Sequence, residues 1–164
     1  MAKIALVSHC LLNHQAKVES FENENHQIIE ALLDKELGLL QLPCPEFTYL
    51  GGDRPGMVKE EYDTPEHRSH CRKILAPLMA DLLEYRRLGH DLTILMGIKG
   101  SPSCALNQTC GRNSKGLEFE TEGAGVFMEE LLILLQEHRL DIPTLEVDEK
   151  DIDATLSTLK AMIS

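Results

Sequence analysis

Four stretches of the chain are almost continuously apolar: KIALVS (3–8), LGLLQLP (37–43), DLTILMGI (91–98) and PTLEVD (143–148). Strands covered on both faces of a parallel sheet read this way, whereas half-exposed strands alternate apolar and polar residues. Apolar residues at helical spacing lie between and after these stretches. The pattern predicts helices over 21–37, where Ile28, Ile29, Leu32, Leu33 and Leu37 recur, and over 65–88, 123–139 and 149–163. Thr64 suits the N-cap of the second helix, Pro65 its first position, and Gly89 follows its end. In the last helix Ile152, Leu156, Leu159 and Ile163 form one stripe.

Strands and helices in alternation specify an α/β fold: one domain over 1–164, with a parallel sheet of about four strands flanked by helices, Rossmann-like or flavodoxin-like, and right-handed crossovers. Two connections, 43–64 and 99–122, are long for such a fold. Ordered long loops usually carry function. With the segment 9–20 they make three candidate site loops.

Each of these loops carries a cysteine close behind a strand. Cys10 follows 3–8, Cys44 follows 37–43 and Cys104 follows 91–98. In an open parallel sheet the C-terminal strand ends share one edge, where ligands bind. The topology can therefore gather three thiols that are distant in sequence. Soft thiolates suit zinc or an iron–sulfur cluster. Structural zinc is normally closed by a fourth ligand, with ligands in close CxxC-type pairs, and no such pair is present. A [4Fe–4S] cluster usually takes four cysteines, so three would leave one iron open. The competing reading is that these cysteines are small buried hydrophobes.

Composition narrows the setting. Of the 164 residues 43% are hydrophobic and only 4% aromatic, so the core is built from Leu, Ile, Val and Met. A formal net charge of −11 disfavours nucleic acid and anionic membranes as partners and leaves room for a small, locally held anion. MAKIALVSHC does not read as a signal peptide, and the run Leu131–Leu135 is too short to span a bilayer. The expectation is a cytoplasmic protein whose five cysteines bind metal, act in catalysis or lie buried, rather than forming a disulfide framework. Its oligomeric state is not legible.

SHCLLN (8–13), CPEFTYLGGDRPG (44–56), GSPSC (100–104) and GAGVFMEELL (123–132) together resemble the 2-thiouracil desulfurase family, in its desulfidase branch. The resemblance spans residues 3 to about 135. It implies a [4Fe–4S] cluster on Cys10, Cys44 and Cys104, an open iron that takes a thiocarbonyl sulfur, and an acidic group and a hydroxyl matching Glu46 and Ser101. Two departures concern the substrate side. Ala105 stands where the family usually has Gly, and NHQAKVES replaces a motif of the VRYDG kind.

Other residues are read from their chemistry. Glu46, two residues beyond Cys44 and stiffened by Pro45, suits a general base. The hydroxyls of Ser101 and Ser103 can hold a substrate atom, relay a proton or cap a turn. Arg54 can grip a carbonyl or carboxylate, with Asp53 beside it and His14 as a further substrate contact. His9 and Cys110 are secondary candidates as ligand or proton donor and as spare thiol. Cys71 reads as core, and the neighbouring His67 and His70 as an ordinary first helical turn. The expected function is desulfuration of a thiolated small molecule. A non-catalytic iron–sulfur or metal-binding protein for sulfur or iron delivery or sensing is the alternative. A cluster-free enzyme with Cys104 as nucleophile would need a neighbouring His, and none is marked.

Overall fold

The computed structural model describes residues 2–18 and 26–164. In chain order the elements are β1 (Lys3–Ser8), α1 (His9–Leu12), a 3-10 turn (His14–Ala16), α2 (His26–Asp34), β2 (Gly38–Leu42), α3 (Pro45–Leu50), α4 (Lys59–Tyr62) and α5 (Pro65–Arg87). They continue with β3 (Asp91–Ile98), β4 (Gln108–Arg112), β5 (Glu118–Glu122), α6 (Val126–Glu137), β6 (Thr144–Val147) and α7 (Ile152–Ile163). β1, β2, β3 and β6 form one parallel sheet in the order β2-β1-β3-β6. This is the mixed α/β fold with a four-stranded parallel sheet flanked by helices that the patterning predicts.

Alternation along the central strands divides the core between two faces. Ile4 and Leu6 of β1 pack with α5 and α6, through Leu75, Leu78, Leu82, Phe127 and Leu131. Ala5 and Val7 face α2 and α7, through Ile28, Leu32, Leu156 and Leu159. Chain reversal on either side of β1 places the topological switch point between β1 and β3, where doubly wound folds bind ligands.

The pattern holds for β1 and β3 but not for β2. As an edge strand β2 buries only Leu42, with Gln41 exposed. The helix expected over 21–37 is observed at His26–Asp34, and 21–25 lie outside the described residues. It ends because Glu36 adopts a left-handed conformation (φ 58°), letting the Leu37 amide donate back to the Leu32 carbonyl at 3.1 Å. This turn returns Leu37 to the core and leaves Leu33 exposed.

Both long connections contain structure that the pattern missed. Residues 43–64 hold the short helices α3 and α4, too brief for helical periodicity to show. Residues 99–122 hold the antiparallel hairpin β4–β5, paired from Gln108↔Glu122 to Arg112↔Glu118. Its second strand, EFETE, is mostly charged and so reads as loop. No helix among the described residues is long and apolar enough to cross a membrane.

Candidate active site

Three neighbouring strand ends deliver the three cysteines. Cys10 lies in the first turn of α1, straight after β1. Cys44 is the N-cap of α3, with its Sγ accepting the Phe47 amide proton at 3.4 Å. Cys104 ends the loop after β3, and its carbonyl accepts from the Ile98 amide at 2.9 Å. Because β1 lies between β2 and β3, Cys10 is central. Cys10 and Cys44 are half-buried and Cys104 is buried, and all are free thiols.

Their electrostatics show that they share one environment. Burial pushes the Cys10 thiol up to about 12, opposed by the charge of Lys17, with Cys44 among the groups reinforcing the rise. Burial also raises Cys44, partly offset by the Phe47 amide. Cys104 is raised well above the ordinary thiol value, first by burial and then by Cys10, Cys44 and Glu46, while the Ser8 hydroxyl opposes the shift. Thiolates so placed repel one another and lack solvation. A bound cation removes both penalties, because metal ligation favours the deprotonated form. No group of three or more His, Cys, Asp or Glu among the described residues is arranged to hold a metal ion. A cubane cluster spreads its ligands more widely than one ion does. Three mutually interacting soft donors on one sheet edge, one buried and two half-buried, fit a cluster by their chemistry.

Glu46 sits beside the thiols, in the first turn of α3, and its charge reaches all three. Its Oε1 accepts from Arg54 Nε at 3.2 Å and from the Tyr62 hydroxyl at 3.1 Å. Its Oε2 accepts from Ser103 Oγ at 2.8 Å. The Arg54 guanidinium is buried and turned to the protein, donating also to the Gly51 carbonyl at 3.2 Å and the Ala16 carbonyl at 2.6 Å. All three of its nitrogens are thus held internally, and the neighbouring Asp53 is exposed. Tyr62, only 2% exposed, completes the carboxylate's shell, and burial together with Glu46 raises its hydroxyl pKa. Sequence reasoning missed Tyr62, because nothing in VKEEYD marks it.

The SPSC loop is fixed by its own hydroxyls and by α6. Ser101 Oγ accepts the amide protons of Ser103 (3.2 Å) and Cys104 (2.9 Å), and the Ser101 carbonyl accepts from Thr109 Oγ1 at 2.8 Å. Ser101 thereby shapes the turn that presents Cys104. Ser103, 1% exposed, is the hydroxyl that reaches Glu46. The loop carbonyls dock on the start of α6: Val126 N donates to the Pro102 carbonyl and Met128 N to the Ser103 carbonyl, each at 2.9 Å. Val126, Phe127 and Met128 are fully buried, which anchors the junction by about 1.5–3 kcal/mol for each large side chain. The Glu146 carboxylate closes the other flank, accepting from the Leu106, Asn107 and Gln108 amides at 2.7, 2.6 and 3.2 Å.

This docking explains the glycine in GAGV. A Cβ at Gly125 would lie 2.4 Å from the Ser103 carbonyl oxygen and 2.3 Å from its carbon. Gly125→Ala should therefore push the SPSC loop off α6 at a cost of about 1–3 kcal/mol. Thermal denaturation should show a melting temperature lower by roughly 3–10 °C, and the displaced Cys104 should reduce iron uptake. A variant with unchanged melting and iron content would show that the loop is not held in this way.

The remaining candidates lie outside the group of three thiols, although the Glu46 charge also reaches Cys110 and His67. His14 is buried beside His26, with neither ring nitrogen bonded among the described residues. Cys110 lies half-buried on β4, its thiol raised by burial to about 11. Cys71 is core, fully buried on α5. His67 is 1% exposed and packs against Tyr49, Tyr62 and His70, again with neither ring nitrogen bonded. Burial, reinforced by His70, holds the His67 pKa below 6.5. Its contribution to stability is therefore complete above about 6.5 and declines as the pH falls from there toward the folded-state value. His67→Phe should leave stability at neutral pH unchanged or higher by about 1 kcal/mol. It should also flatten the acid limb below pH 6.5, as read from urea midpoints. A midpoint that still falls as steeply would remove His67 as a source of acid sensitivity.

A cleft of about 390 Å³ adjoins Cys44, lined among others by His9, Asn13, Gln41, Phe47 and Thr48. Gln41 carried a signal in the sequence, as the one polar residue in the apolar run LGLLQLP.

Comparison with known proteins places the fold and the family. Over 98% of the chain the fold matches a solved structure described as the [4Fe-4S]-dependent thiouracil desulfidase TudS, covering 99% of it, with a TM-score of 0.54 and 16% sequence identity. The chain belongs to the family described as "Putative 2-thiouracil desulfurase", whose profile matches residues 2–158. An uncharacterized protein of Methanocaldococcus jannaschii is 36% identical over 166 residues, spanning 98% of this chain and 97% of that one.

Proposed function

We propose that the protein is a desulfidase that exchanges the sulfur of a thiouracil-type thiocarbonyl for the oxygen of water, releasing hydrogen sulfide without net redox change. The observation that carries this reading is the Glu46–Ser103 pair, at 2.8 Å, beside three convergent thiols. Cys10, Cys44 and Cys104 would hold a [4Fe–4S] cluster. When bound, it supplies an iron without a protein ligand, a Lewis acid that draws electrons from a thiocarbonyl through its sulfur.

The chain's own residues do the rest. Glu46 takes a proton from the attacking water, and Ser103 Oγ–H, already on its Oε2, offers a path to return a proton to the departing sulfur. Arg54 and Tyr62 occupy the other oxygen and fix the carboxylate's direction. We assign Arg54 to positioning because its guanidinium is spent on the protein. Ser101 shapes the turn and keeps its own hydroxyl proton unspent among the described residues, available to a sulfur or a substrate atom. Residues 1–164 would act as one unit, a protein whose partner is a small thiolated molecule.

The test is anaerobic reconstitution with iron and sulfide, followed by incubation with 2- and 4-thiouracil. Release of sulfide and uracil in equal amounts is expected. A reconstituted protein that binds iron but releases no sulfide from any thiocarbonyl would overturn the enzymatic reading in favour of iron or sulfur delivery.

A further inference from the structure

We propose that the cleft beside Cys44 recognises its ligand through the paired side chains of His9 and Gln41, which together read a cis-amide edge (–NH–C=O) on a planar heterocycle stacked against Phe47. This rests on the desulfidase reading and specifies which part of the substrate the protein checks.

The cleft, about 390 Å³, lies between the end of β1, the edge strand β2 and the start of α3, and it opens onto Cys44. A ligand inside it therefore abuts the Cys44 thiol, while Cys10 and Cys104 do not line the cleft. Among the described residues no Lys, Arg, Asp or Glu lines it, and the groups offered there are neutral hydrogen-bonding side chains and a ring. The Gln41 side-chain amide pairs with His9 Nδ1. Whichever way the amide is turned, a neutral ring accepts at one nitrogen and donates at the other, so the pair keeps one donor and one acceptor, one on the ring's Nε2 and one on the far atom of the amide. Among the described residues neither His9 Nε2 nor Gln41 Oε1 has a protein partner. One donor and one acceptor are thus left on this pair of cleft-lining side chains, the set that the carbonyl and N–H of a lactam require. Phe47 lines the same cleft and is 45% exposed, an aromatic face open to a flat ring.

The placement also accounts for a polar residue within an apolar strand. Gln41 sits on the edge strand, exposed, where its side chain does nothing for the core. Among the described residues its side chain bonds only to the residue before Cys10.

Equilibrium binding of two sulfur-free probes, uracil and 1,3-dimethyluracil, to the reconstituted protein tests the proposal. Methylation removes both amide N–H groups and keeps the ring. The wild type should bind uracil roughly tenfold more tightly, the usual scale of one or two hydrogen bonds. In Gln41→Leu the preference should shrink to within about twofold, because uracil alone weakens. Phe47→Ala should weaken both probes together. Gln41 is exposed on an edge strand, and the wild-type comparison requires no variant, so misfolding cannot imitate the result. Equal wild-type affinity for the two probes, or a preference that survives Gln41→Leu, would overturn the assignment. Since neither probe contains sulfur, the outcome is independent of turnover. Discrimination without any desulfuration would uphold this subsite and remove the proposed reaction, whereas desulfuration without discrimination would remove the subsite alone.

Discussion

Replacing Cys10, Cys44 or Cys104 singly by serine is expected to reduce iron retained after anaerobic reconstitution, and sulfide release from thiouracil, to background. Each thiol comes from a different strand end, and neither of the other two cysteines lies at such an end. Cys71 is sealed in the α5 face of the core, and Cys110 lies out on β4. Cys110→Ser should therefore keep full iron and activity. Cys71→Ser should keep its iron while losing some stability, because it places a hydroxyl in an apolar site. The measurement is iron and acid-labile sulfide per chain beside the visible absorption spectrum. A variant of any of the three that keeps a full complement of iron would show that its thiol is not a ligand. Loss of iron in Cys110→Ser would show that the ligand set has been drawn wrongly.

The second large effect concerns Glu46. Glu46→Gln should lower kcat by about 10²–10⁴-fold, the range of general acid–base help, while iron content stays at the wild-type level. Glutamine keeps an oxygen for Arg54 and Tyr62 but cannot take a proton. Ser103→Ala should cost less, since it removes one hydrogen bond to the carboxylate and leaves the carboxylate itself. Arg54 is buried, and removing its partner's charge will destabilise the fold. Activity must therefore be compared at a temperature where both proteins are folded. If Glu46→Gln keeps near-normal kcat, the base lies elsewhere. If it loses iron as well as activity, Glu46 maintains the cluster's surroundings and its catalytic role is not needed to explain the loss.

Much of the frame was legible in the sequence, and the reasons are physical. β1 and β3 are covered on both faces, so their composition is apolar throughout, and Cys10 and Cys104 follow directly from where those runs stop. Cys71 lay on an apolar helical stripe and is indeed core. The edge strand β2 was found from its apolar letters, but its single polar residue, Gln41, carries meaning only once the cleft is seen. What escaped was contact between residues distant in sequence. Tyr62 and Ser103 meet on Glu46 across 16 and 57 residues, and Arg54 reaches back 38 residues to the Ala16 carbonyl. No periodicity encodes such meetings. The hairpin β4–β5 escaped for the opposite reason, since its strands bury little and carry the charges of a loop.

The most direct test of the central claim is diffraction at the iron absorption edge from crystals of the anaerobically reconstituted protein. The account predicts one compact four-iron peak enclosed by the sulfurs of Cys10, Cys44 and Cys104, with one iron bare of any protein ligand and facing the Glu46 carboxylate. Iron found elsewhere, at His67, His70 and Cys71 for example, or a fourth side chain closing the last iron, would contradict it.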